Sequence, residues 1–172
     1  AYLVCNFMPK TGDKPALLTH DDVETLFHEM GHTLHHLLTK VDCPAVSGIN
    51  GVAWDAVELP SQFLENFCWQ KEVISMISSH YETGETLPDD ILEKLRQTKT
   101  FQAGMQMLRQ VEFSLFDFRL HCYYNPENPE PVQAVIDQVR KEVAVLDAPA
   151  FKRFQNTFSH IFAGGYAAGY YS

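Results

Sequence analysis

At 172 residues, with 45% hydrophobic side chains and 12 phenylalanines, the chain is long and apolar enough to bury a core, which excludes a disordered protein. A net charge of −9, with no basic patch to offset it, argues against a nucleic-acid partner. No apolar run reaches the roughly 18 residues that a membrane span needs, so no membrane partner is expected.

Ala1 to Phe7 is short and rich in apolar and aromatic residues, and it reads as a strand already in progress. A lone strand cannot satisfy its backbone groups, so its sheet partners are expected outside this chain. The chain also stops at Tyr170-Tyr171-Ser172, apparently within a motif. Both ends suggest a piece of a longer protein. Four cysteines (Cys5, Cys43, Cys68, Cys122) are scattered without a CxxC pair. They read as free, mostly buried thiols of a reducing compartment, the cytoplasm.

After a turn over Pro9 to Pro15, a helix is expected from about Asp21 to Thr39. Thr19 is its N-cap, and Asp21 and Asp22 lie in the first turn, where the helix dipole favours negative charge. Val23, Leu26, Phe27, Met30, Leu34, Leu37 and Leu38 give it a broad apolar stripe. Within it stands His28-Glu29-Met30-Gly31-His32. Residues at i and i+4 share one face, about 5–6 Å apart at Cβ, so both imidazoles can converge on one metal ion. Glu29 projects beside that face and can take a proton from a metal-bound water. This pattern is a metalloprotease signature. Glu24, four residues before His28, reads either as a first-turn acid or as the acceptor for the free ring N–H of a ligating His28. His35 reads as a core or supporting histidine.

Lys40 to Ala53 is a loop that returns the chain beside the first helix. A second long helix is expected from about Asp55 to Tyr81. Glu58 has two readings there. With Asp55 as N-cap, Glu58 completes a capping box. As chemistry, it supplies the third zinc ligand that the histidine pair lacks. Asp55 is a candidate partner for the ring of His32. Further helices are expected over Leu87 to Thr98, Thr100 to Tyr124 (central and well buried, its polar residues pairing internally, His121 a satisfied core histidine) and Pro131 to Leu146. The last segment, Asn156 to Tyr171, mixes glycines with tyrosines around His160. It reads either as a turn before an aromatic core element or as a source of hydrogen bonds to a developing oxyanion.

The run His28-Glu29-Met30-Gly31-His32-Thr33-Leu34-His35, then Ser47-Gly48, then Asp55-Ala56-Val57-Glu58-Leu59-Pro60-Ser61-Gln62, resembles the thimet oligopeptidase family of zinc metallopeptidases. Gly48 to Asp55 and the run from Ser159 to Ser172 resemble its bacterial branch. The likeness covers essentially the whole chain. It implies a mainly α fold, with a zincin-like catalytic core and a short N-terminal strand. It also implies that residues 1–172 form a single catalytic-core fragment of a longer, bilobed enzyme. The N-terminal lobe would be the fragment's partner, and short peptides in a narrow channel its substrates. One zinc ion would be held by His28, His32 and Glu58, with Glu29 as catalytic base and His160, Tyr166 and Tyr170 on the substrate and oxyanion. One further family tyrosine falls just past Ser172.

Overall fold

A computed structural model describes all 172 residues. All of the regular structure is helical, and the chain divides into two compact units, Ala1–Lys99 and Thr100–Ser172.

In the first unit, α1 spans His20–Leu37. Its start is set by a reciprocal capping box. The Asp22 N–H donates to Thr19 Oγ1 at 3.2 Å, and the Thr19 N–H donates to Asp22 Oδ2 at 2.8 Å. The only fully buried residue of α1 is Gly31. A Cβ there would lie 2.5 Å from Ser61 Cα and 2.6 Å from the Pro60 carbonyl oxygen. Glycine therefore lets the backbone of α2 (Leu59–Glu65) press directly on α1, one residue before His32.

The expected second long helix is broken. After α2 come a 3₁₀ turn over Asn66–Trp69, an extended Gln70, and α3 over Lys71–Ile77. Side chains take the carbonyls that a continuous helix would use. Asn66 Nδ2 donates to the carbonyls of Gln62 and Phe63, Cys68 Sγ to that of Glu65, and Arg96 Nε to that of Trp69. The α4 helix, Asp89–Thr98, follows a turn in which Gly84 takes φ +74°.

No strand forms at Ala1 to Phe7, correcting that expectation. The alternation is there: Leu3, Cys5 and Phe7 are half-buried while Tyr2 and Val4 are exposed. A strand exists only by pairing, however, and no segment of this chain pairs with it. Nor is the leucine stripe of α1 covered throughout, since Leu37 and Leu38 are exposed. Of the cysteines only Cys68 is buried; Cys43 and Cys122 are exposed, in a loop and on the last turn of a helix. Burial, helped by the charge of Glu24, pushes the Cys68 thiol up to about 11.

In the second unit, α5 (Ala103–Tyr123) packs on α6 (Val132–Val143), and the short α7 (Ser159–Phe162) completes the core. Phe116, Leu120, Ile136, Val139, Phe158 and Ile161 are its buried apolar residues. The polar exceptions on α5 pair internally, as expected. Glu112 accepts from Arg109 Nη1 at 2.7 Å and Arg140 Nε at 2.9 Å, and Arg119 makes a two-pronged pair with Glu142.

Candidate metal centre

His28 and His32 stand one turn apart on α1, their rings 4.9 Å apart and nearly perpendicular. Glu58 sits just before α2. Its side chain makes no helix-capping bond, so the capping-box reading gives way. Instead Glu58 Oε2 lies 3.2 Å from His28 Nε2 and 3.0 Å from His32 Nε2. Ser61, fully buried, shares its one hydroxyl hydrogen between Glu58 Oε2 at 2.9 Å and the Glu58 carbonyl at 2.8 Å.

The tautomer of His28 follows from its other nitrogen. Nδ1 lies 2.7 Å from Glu65 Oε1, and a carboxylate only accepts, so Nδ1 carries the proton. In the neutral ring the lone pair is then on Nε2, facing the lone pairs of Glu58 Oε2. A cation between them, or a second proton on the ring, relieves that contact. The three donor atoms of His28, His32 and Glu58 lie within 4.8 Å of one another. A tetrahedral ion with bonds of about 2.0–2.2 Å spaces its ligands by roughly 3.3–3.6 Å. The two nitrogen–oxygen separations are only slightly shorter, so the residues fit a zinc-sized ion. Two imidazoles and a carboxylate are also a set that leaves one position open.

The sequence leaves Glu24 either as a first-turn acid or as the acceptor for the free ring N–H of His28. Glu24 Oε1 instead accepts from Trp69 Nε1 at 3.0 Å, and Glu65 takes the histidine. The signal for Glu65 was present: it lies seven residues after Glu58, two turns along the same side of one helix. Asp55 is exposed, and the Nδ1 of His32 is buried without a hydrogen-bond partner, so the expected pairing of these two is not made. Glu29 is half-buried, with its backbone carbonyl accepting from Thr33 Oγ1.

His160, Tyr166 and Tyr170 belong to the second unit and cluster there. The ring of His160 lies 6.1 Å from that of Tyr166 and 5.7 Å from that of Tyr170, edge-on to both. Tyr170 donates its hydroxyl to Gln110 Oε1 at 3.0 Å. Burial pushes its phenol up, and the nearby Arg109 pulls it back down. His121 is satisfied by Asp117, its Nδ1 lying 2.9 Å from the carbonyl and 2.8 Å from Oδ1, but it is exposed and not the core histidine expected.

His28 and His32 on α1 and Glu58 before α2 form a group that could hold a metal ion. The model of peptidase family M3 matches residues 1–172, and the chain belongs to that family. It is 57% identical over 172 residues to oligopeptidase A of Salmonella typhimurium and 56% identical to oligopeptidase A of Escherichia coli. Each comparison covers 100% of this chain and 25% of the relative. It is 50% identical over 172 residues to a probable cytosolic oligopeptidase A of Arabidopsis thaliana, covering 24% of that protein. The chain thus spans about a quarter of the length of the curated relatives it matches. No helix is long and apolar enough to cross a membrane.

Proposed function

We propose that this chain carries the zincin-like catalytic core of a zinc-dependent endopeptidase that hydrolyses short oligopeptides. The observation that carries the reading is the meeting of three atoms able to ligate a metal, from His28, His32 and Glu58, with Nδ1 of His28 held by Glu65. When bound, a zinc ion there polarises the scissile carbonyl and makes water acidic enough to be deprotonated near neutral pH. Glu29 takes the proton from the attacking water and passes it to the leaving amine. His160 and Tyr170 donate to the oxyanion, and Tyr166 helps hold the peptide; family membership supports these three roles. The free cysteines and the cytosolic relative support a cytoplasmic location.

Glu29→Gln in the full-length protein tests the assignment. It keeps the shape and removes the base, so zinc content stays the same while kcat falls by about 10²–10⁴. Unchanged turnover of a quenched-fluorescence peptide would refute the role of Glu29.

A second reading is favoured by the quarter-length coverage: taken alone, residues 1–172 form a catalytically incomplete scaffold whose partner is the rest of its own protein. Zinc measured by atomic absorption without peptide cleavage supports the scaffold, and cleavage by the isolated chain rejects it.

A further inference from the structure

Asp117 lies in the middle of α5 with no exposed surface. A carboxylate so placed must have its oxygens filled by donors. Two of the three donors are backbone amides of the glycine- and tyrosine-rich segment. The Ala168 N–H donates to Oδ1 at 2.8 Å, and the Tyr170 N–H donates to Oδ2 at 3.1 Å. The third is His121, whose Nδ1 lies 2.8 Å from Oδ1. One carboxylate thus clamps two amides on either side of Gly169. Within the clamp, Ala168 takes φ +57°, in the left-handed region that alanine occupies only where its surroundings dictate it. From this fixed backbone the Tyr170 ring enters a slot walled by Phe113, Phe158 and His160, at centroid separations of 5.9, 4.8 and 5.7 Å.

We infer that Asp117 is the positioning residue of Tyr170: by holding the amides of Ala168 and Tyr170, it aims the tyrosine hydroxyl for its part in the reaction. This rests on the reading of Tyr170 as an oxyanion donor. Asp117 itself touches neither substrate nor metal. Its contribution passes through the peptide planes of the clamped segment, where a displacement of about 1 Å can cost a hundredfold in rate.

The test is a double-mutant cycle in the zinc-loaded full-length protein, read by kcat, KM and zinc content. Tyr170→Phe lowers kcat by about 10²–10³ through loss of the donor. Asp117→Asn keeps the shape but turns one acceptor into a donor that opposes an amide. It lowers kcat by about ten- to a hundredfold, with KM and zinc content unchanged. Combined with Tyr170→Phe, it adds nothing to the loss. If Asp117→Asn lowers kcat by the same factor in both backgrounds, the residue is an ordinary structural acid and the inference is overturned. If Tyr170→Phe leaves kcat unchanged, the oxyanion reading fails first and takes the inference with it. Should Asp117→Asn fail to fold, hydrogen exchange on the unaltered protein decides. Strong protection of the Ala168 and Tyr170 amides supports the clamp, and exchange at unstructured-peptide rates overturns it.

Discussion

Two carboxylate clusters of this molecule, one buried at Asp117 and one half-buried at Glu58, are built from similar residues and solve different problems. Asp117 faces two amides and an imidazole N–H, so its acceptor oxygens are met by protons. Glu58 Oε2 faces the Nε2 atoms of His28 and His32, and Nδ1 of His28 faces Glu65. The first cluster is complete as protein, and the second is the one proposed to take a cation. Distance and burial alone do not separate a structural carboxylate from a ligating one; the direction of each hydrogen bond does.

That contrast can be broken most severely at Glu58. Replacing it with alanine removes one of three donors, and zinc affinity by competitive chelation should fall by more than the roughly hundredfold typical of an outer partner. A smaller loss would mean that another side chain completes the site. Next comes Gly31→Ala. The new methyl meets the backbone of Pro60 and Ser61, not a flexible side-chain tip, so α2 must move. About 3 kcal/mol of stability should be lost in thermal or denaturant unfolding, with weaker zinc binding alongside. Unaltered stability would show that the two helices separate freely. Glu65→Ala should cost about ten- to a hundredfold in zinc affinity, because His28 loses the acceptor that orients its ring. A loss of that size from Glu24→Ala, with Glu65→Ala silent, would reverse the assignment. Asp117→Asn sharpens the comparison from the other side, since a proton-satisfied cluster has no stake in the metal and zinc affinity should not change.

Some of this was legible in the residues. The capping box at Thr19 and Asp22 and the i, i+4 spacing of His28 and His32 are local, and local geometry follows from a helix's period. Glu58 was legible through its motif, although the same four residues also read as a helix cap. Glu24 and Glu65 could not be separated by spacing. Both lie at helical intervals from a ligand, and the choice fell to Trp69, whose indole N–H claims Glu24. The break after Glu65 was hidden because it depends on Arg96, thirty-one positions on from that residue, reaching the Trp69 carbonyl. The clamp by Asp117 was hidden too, since it joins residues more than fifty positions apart.

The sequence by itself determined that a helix would present two imidazoles and an adjacent carboxylate on neighbouring faces, because a turn of 3.6 residues allows no other arrangement. Only the tertiary structure decided which acid holds which histidine, where the second helix breaks, and that Ala1 to Phe7 stays unpaired. Those outcomes depend on which donors and acceptors distant segments bring within about 3 Å of one another, and a hydrogen bond has no reach beyond that.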